Sequence, residues 1–336
     1  MMDNIQSLTS KFLYLLLTSE AKQATLRWIG GCLDANRNKA KLMASFVTAN
    51  GSASDGFMLN LAAVLIKLCA PFISPRNPRL SSIDARFCAP DSGSVLPQPG
   101  EDMILEKIDG VEITRDDLLS LGTPDQFSFI TSCFFLTHRA LQLAYTAPFD
   151  KYRRLMKSLM ETQRLFQDLA GGGMGEVRER FETLFTEQLE VKTHLLHPDT
   201  ISQVLLFYSS SANWLSLIST HHDALTVGDV DAQLAAPTTP SKTLAGLPSY
   251  LLSASCQFFI NVRYFAEVSL ENFSTENLDF VVTFLVLFSN EHWVPNPHTR
   301  AEIVEALTVF IPNERAKSSV PTSNRLFLGY HSLSHL

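Results

Sequence analysis

Apolar residues recur along this chain at steps of three and four, segment after segment. That is the spacing at which side chains share one face of an α-helix. Leu8, Phe12 and Leu15 or Leu16 mark a first helix, and Leu26, Ile29 and Leu33 a second, with Thr18 or Ser19 placed to cap it. Ser54 and Asp55 precede Phe57, Leu61, Val64 and Leu68, an N-cap followed by a one-sided face whose Phe57 and Leu61 are expected to pack inward. The cleanest stripe is Phe129, Cys133, Leu136, Ala140 and Leu143. Leu155, Leu159, Phe166 and Leu169 follow as a separate helix, ended by the run Gly171, Gly172, Gly173. Val177, Phe181, Leu184 and Val191 form the next, stopped at Pro198, and Ile201, Leu205, Tyr208, Ala212 and Leu215 another. Phe258, Val262 and Phe265, then Leu278, Val281, Leu285 and Phe288, then Ile303, Leu307 and Phe310 complete the series. No run of β-branched alternation bounded by turn residues interrupts it, so a sheet of any size is not expected.

About ten helices with short links, each apolar over roughly a third of its surface, stack most readily as successive pairs. The fold expected is all-α, an armadillo- or HEAT-like helical solenoid whose repeats are degenerate, since no period of ~40 residues is visible. Two stretches break the pattern. Residues 71–125 hold seven prolines, from Pro71 to Pro124, and residues 221–248 hold Pro237, Pro240 and Pro248 among small polar residues. Proline lacks the N–H that a helix interior needs, so both read as long loop excursions. The helical core therefore spans residues 1–311. The polar tail, residues 312–336, has no apolar face and is expected to be disordered.

Composition narrows the possible partners. The chain has 336 residues, 46% hydrophobic and 18% charged, with a net charge of −7. Between Asp91 and Asp125, nine acidic residues face only Lys107 and Arg115, so this one excursion accounts for the entire net charge. A neutral body with one acidic stretch lacks the clustered cations that displace counterions from nucleic acid, which excludes that class of partner. No apolar stretch approaches the ~20 residues of a membrane span, and the run Phe12 to Leu17 is too short for a signal peptide. The five cysteines, Cys32, Cys69, Cys88, Cys133 and Cys256, are odd in number and lack CxxC spacing. That argues for a reducing compartment, cytoplasm or nucleus, and against a zinc knuckle or redox pair.

Few residues suggest chemistry. The glycine run 171–173 is not followed by the Lys-Ser or Lys-Thr of a phosphate loop. His194 and His197 could share a helix face, and His221, His222 and Asp223 are adjacent, but neither set brings further ligands at defined spacing. Cys32, Cys69, Cys133 and Cys256 lie in apolar stripes, where desolvation suppresses a thiolate. Asp116 and Asp117 sit in the acidic excursion and are expected to be solvated. The basic tract Lys151, Arg153, Arg154 and Lys157, with Tyr152, reads as a solvated helix face, or as a dock for an acidic partner or the chain's own acidic excursion. No catalytic, cofactor-binding or metal-binding residue is assigned, and no cofactor is expected.

Four blocks carry a resemblance. Arg27-Trp28-Ile29 leads through Leu33 to Asn36, Arg37, Lys39 and Ala40. Ser54-Asp55-Gly56-Phe57-Met58-Leu59-Asn60-Leu61 is followed by Cys69-Ala70-Pro71-Phe72. Cys133-Phe134-Phe135-Leu136-Thr137 continues to His138 and Leu141, and Trp293-Val294-Pro295-Asn296-Pro297-His298 continues to Arg300, Ile303, Val304 and Leu307. In this order the blocks resemble the core region of the ubiquitin conjugation factor E4 family, U-box ligases that extend ubiquitin chains. The resemblance implies a scaffold that positions partners: a AAA ATPase segregase, a ubiquitin-conjugating enzyme, ubiquitin and ubiquitinated substrates. It also implies a role in ubiquitin-dependent protein quality control in cytoplasm and nucleus. The helical pattern stops at Ile311 with nothing resembling a U-box after it, so the chain is expected to be inactive alone. The alternative is a HEAT- or armadillo-like adaptor that holds a peptide or partner helix on its concave face.

Overall fold

The computed structural model describes residues 2–40, 52–89, 93–96, 103–108, 110–120, 122, 124–168, 174–220 and 240–311. The glycine run at 171–173, the cluster His221, His222 and Asp223, and the tail 312–336 lie outside these residues. The described chain is an all-α, solenoid-like array of twelve α-helices. In order these are α1 (Met2–Leu17), α2 (Lys22–Ala35), α3 (Asp55–Cys69), α4 (Arg115–Leu119), α5 (Phe129–Asp168), α6 (Met174–Leu195) and α7 (Pro198–Thr220). Then come α8 (Lys242–Ala245), α9 (Tyr250–Phe265), α10 (Glu267–Glu271), α11 (Thr275–Phe288) and α12 (Pro297–Thr308). Among the described residues the only sheet is a two-residue hairpin, Lys107–Ile108 against Val111–Glu112, turned at Gly110 with φ +80°. No helix among them is long and apolar enough to cross a membrane.

Helix α5 is the beam of the array. It runs 40 residues, about 60 Å at the α-helical rise, straight through Pro148. The stripe predicts two helices here, and the structure has one. A proline inside a helix costs about 3 kcal/mol through a lost hydrogen bond and a ring clash. Pro148 and its neighbours Tyr145, Phe149 and Tyr152 are buried, and each of these three rings meets α9: Tyr145 and Phe149 on Phe258, Tyr152 on Phe265. Each buried aromatic returns about 1.5–3 kcal/mol, enough to offset the break. On the N-terminal side of α5, Phe134 and Phe135 pack edge-on to Trp214 of α7, and Phe135 stacks on Phe87 at 4.9 Å.

Helix α7 is buried all round from Val204 to Ser216, except Leu206, which is partly exposed, rather than only along its apolar stripe. Its serines are satisfied locally or by neighbours: Ser210 Oγ donates to Leu206 O at 2.9 Å, and Ser209 Oγ to Asn277 O at 2.6 Å. Short hydroxyl side chains let α11 approach closely while these serines keep a partner.

One stripe faces differently from its expected direction, as does one residue of another. Leu8, Phe12 and Leu15 of α1 are exposed, because α1 lies on α2 and α3 through Gln6, Leu13 and Leu17. Phe57 is 42% exposed, where it was expected inside, and with Phe12 and Trp28 it lines an apolar groove between α1, α2 and α3. Leu61 does pack inward.

The described parts of both proline-rich stretches fold back onto the core. Asn77 and Asp84 cap two short 3-10 turns, Pro78–Ser82 and Ala85–Cys88, and Phe72, Ile73, Leu80, Ile83, Phe87, Ile104 and Leu118 are buried. The two stretches also meet each other. Ile104 N donates to Leu247 O at 2.9 Å, and Lys242 Nζ lies 2.8 Å from Asp117 Oδ1. Asp117 is thus not merely solvated. It closes a capping box with Thr114 at the start of α4, and the bonds from Lys242 and Thr114 hold its carboxyl well below the usual carboxylate range.

Gly30 and Gly31 give a paired test of packing against propensity. A Cβ on Gly30 would lie 1.8 Å from the Val95 carbonyl oxygen, whereas one on Gly31 would meet nothing within 4 Å. Gly30→Ala is expected to destabilise by 2 kcal/mol or more, about what an overpacked core costs. Gly31→Ala is expected to stabilise by about 0.5–1 kcal/mol through helix propensity. Urea unfolding of the two variants checks both, and a Gly30→Ala protein as stable as the parent would refute the close approach.

Candidate binding cleft

The first two motif blocks meet in a buried polar knot. At the end of α2, Asn36 Nδ2 donates to Cys32 O at 2.8 Å, while its Oδ1 accepts from Ala53 N at 2.7 Å. Lys39, only 5% exposed, donates from Nζ to Ala53 O at 2.9 Å and to Asp55 Oδ1 at 2.7 Å. Ser54 Oγ then accepts from Phe57 N, the N-cap the sequence predicts. A buried ammonium is tolerable only when hydrogen-bonded and paired, and Lys39 is both. The knot fixes where α3 starts relative to the end of α2.

The third and fourth blocks are built in the same way. Cys69, trailing the second block, sits with Sγ 3.1 Å from Thr137 Oγ1 of the third. His138 bonds Ser211 of α7 through Nε2 and is enclosed by Phe134, Phe207 and Tyr208. In the fourth block Asn296 caps α12 by accepting from His298 N at 2.9 Å, with Pro297 opening the helix, as its sequence suggests. Arg300 Nη1 donates back to Val294 O at 2.9 Å and Pro295 O at 3.1 Å, bracing that turn.

All four blocks contribute to one polar cleft of about 770 Å³. The middle of α5, from Leu141 to Arg154, forms one wall, α9 the floor, and His298, Thr299 and Glu302 of α12 the opposite wall. Lys39 and Asp55 close one end. On the floor, Gln257 Nε2 donates to Glu302 Oε1 at 3.3 Å. Burial pushes the Glu302 carboxyl up from its ordinary range, and the like charge of Glu305 adds to this, against the Gln257 bond. One turn along, Asn261 Oδ1 accepts from Arg153 Nη2 at 2.8 Å. Arg153 also pairs with Asp150 at 3.2 Å, and Lys151 with Glu187 of α6 at 2.9 Å. The basic tract thus ties α5 to α6 and α9 rather than forming a plain solvated face, and Arg154 remains exposed at the cleft.

The other candidates assemble no reactive centre. His194 and His197 line a small cavity with Gln6, Asn60 and Thr200. Among the described residues no three His, Cys, Asp or Glu side chains are grouped so as to hold a metal ion. Cys69, Cys88, Cys133 and Cys256 are buried, and Cys32 is half-buried on the flank of α2, not fully in the core. Its bond to Cys69 and burial push the Cys133 thiol up, and burial raises Cys256 and Cys32. A raised thiol is a poor nucleophile. Tyr145, Gln257, Asn261 and Glu302 were not singled out by sequence reasoning. Gln257 and Asn261 carried a usable signal, two amides four residues apart in a mostly apolar helix. Tyr145 reads as one more core aromatic, and Glu302 as one more surface acid.

These features define an all-α helical array with a polar cleft among its helices, and the serine–histidine contact of Ser211 with His138 is buried in the aromatic core, outside the lining of that cleft. The chain belongs to the ubiquitin elongating factor core family, which matches residues 1–335. It is 28% identical over 338 residues to ubiquitin conjugation factor E4 A of Bos taurus, covering 96% of this chain and 31% of that protein. It is 27% identical over 307 residues to ubiquitin conjugation factor E4 A of Mus musculus, covering 89% and 29%. The probable ubiquitin conjugation factor E4 of Arabidopsis thaliana is 24% identical over 365 residues, covering 95% and 33%. The chain spans about a third of the length of these curated relatives.

Two measurements test the buried polar groups. Lys39→Met strips the donor from Ala53 O and is expected to cost about 2 kcal/mol in urea unfolding, within the range for an orphaned buried acceptor. Burial pushes His138 down to about 3, against about 6.5 for a free imidazole. The unfolded chain therefore binds a proton that the folded one refuses. The contribution of this histidine is fully present above about pH 6.5 and is lost at up to ~1.4 kcal/mol per unit as pH falls toward 3. A His138→Gln variant is expected to show a flatter decline between pH 6.5 and 4.5, and an unchanged slope would contradict the assignment.

Proposed function

We propose that this chain is the core scaffold of a ubiquitin-chain-elongating ligase, a surface that holds partners while the transfer chemistry is done by others. The observation that carries this reading is the convergence of the four motif blocks on one cleft, where they contribute helix caps and a buried ion pair. The names of the relatives place them in ubiquitin conjugation, and the family description places this region in their elongating core. The partners of this reading are a ubiquitin-conjugating enzyme, ubiquitin with ubiquitinated substrates, and a AAA ATPase segregase, acting in protein quality control in cytoplasm and nucleus. By itself the chain does not ligate ubiquitin.

In a reconstituted assay with activating enzyme, conjugating enzyme, ATP and ubiquitin, the chain alone is expected to leave ubiquitin unchained. Chains formed on its addition would sink the scaffold reading. In pull-downs, the immobilised chain is expected to retain the ATPase hexamer or preformed polyubiquitin. Retention of neither, with capture of unrelated helical peptides instead, would favour a general adaptor, a reading that draws on the open groove at Phe12, Trp28 and Phe57.

A further inference from the structure

The cleft is chemically divided along its floor. Gln257 and Asn261 of α9 lie one turn apart, about 6 Å along the axis. Gln257 orients Glu302 at one position, and Asn261 holds Arg153 at the other, with Arg154 beside it on α5. The cleft therefore has an anionic pole at Glu302 and a cationic pole at Arg154. Glu302 has an amide donor and feels the nearby His298, but no ion pair holds it among the described residues, and its burial weakens its solvation. Arg154 likewise has no ion-pair partner among them, whereas Lys39, Lys151 and Arg153 are already paired.

A second observation points to a ligand. The Tyr145 side chain is 4% exposed and stands between this cleft and the small cavity at His194, lining both, and its hydroxyl is buried without a hydrogen-bond partner. A buried hydroxyl left unpaired costs about 1–3 kcal/mol, so such groups in native folds are satisfied. A peptide carbonyl entering the cleft would accept from it. The volume of about 770 Å³ falls within the roughly 300–1,000 Å³ range of ligand sites.

We propose that this cleft binds an extended peptide segment of a partner protein, with a Lys or Arg side chain on Glu302, an Asp or Glu side chain on Arg154 and a main-chain carbonyl on the Tyr145 hydroxyl. In an extended chain, residues two apart point the same way and are separated by about 6.5 Å, which matches one helical turn of floor. The segment recognised thus carries opposite charges at alternate positions. The proposal rests on the scaffold reading, whose own test is the ubiquitin assay, and the two fail separately.

The test is selection of a displayed library of random seven-residue peptides on the full chain, followed by fluorescence anisotropy with the most enriched sequence. Enrichment of a basic residue two positions from an acidic one is expected. Glu302→Gln is expected to abolish selection of the basic residue, and Arg154→Met selection of the acidic one. Tyr145→Phe is expected to weaken the enriched peptide about tenfold, the loss of one hydrogen bond from a buried donor. Arg154 is exposed, so its variant folds and keeps the test decisive if either buried substitution does not. No enrichment, or enrichment of sequences indifferent to all three variants, would overturn the proposal while leaving the scaffold reading standing.

Discussion

Every helix in the array must bury its apolar face against a neighbour, and α5 is the surface that α2, α3, α6, α7 and α9 share. Phe134, Phe135, Leu136, Ala140, Leu141, Leu143 and Ala144 are fully buried along its first half. Helices α3, α6 and α9 all pack against this beam, and α7 is held to it by an aromatic cluster. Pro148 puts a weak point in its middle, and the rings of Tyr145, Phe149 and Tyr152 against α9 carry the helix across it. Without that contact the second half of α5, and α6 folded back along it, would lose its fixed direction relative to the core.

The same arrangement makes the cleft. Because α5 continues past Pro148 while α9 leans on it and α12 leans on α9, a gap bounded by helices on three sides is left between them. Polar side chains line it because they already serve as braces: Gln257 to α12, Asn261 to Arg153 of α5, Lys39 to the start of α3. A rigid lining of this kind loses little freedom when something binds, which is what a site for a weakly ordered segment requires. It also explains why the motif blocks contain caps and turns rather than reactive groups. They fix helix ends, and the helix ends define the gap.

The helical architecture was legible because amphipathic periodicity is a local property, and helix after helix kept to it. Orientation was less legible. The stripe of Leu8, Phe12 and Leu15 is a real helix face, but α1 rests on its neighbours through Gln6, Leu13 and Leu17 instead. Periodicity identifies faces and does not say which one a neighbour will cover. Pro148 misled for a related reason: its local cost is fixed, and the burial that offsets it comes from residues 110 positions away. The cleft was least legible of all. Lys39 and Asp55 were visible as members of separate blocks, but their pairing depends on tertiary placement, and Glu302 looks like any other acid on a half-exposed helix.

The contact between the two proline-rich stretches has a consequence for how the chain is made. The ion pair of Asp117 with Lys242 spans 125 residues. Synthesis at roughly 5–20 residues per second leaves an interval on the order of ten seconds between their appearances at the ribosome. During that interval Ile104 and the residues around it have no Leu247 to pair with, and their apolar side chains lack part of their cover. The earlier stretch completes its contacts only when the later segment has been translated. For this protein the order of synthesis therefore leaves the first of the two stretches without part of its cover until the second has emerged.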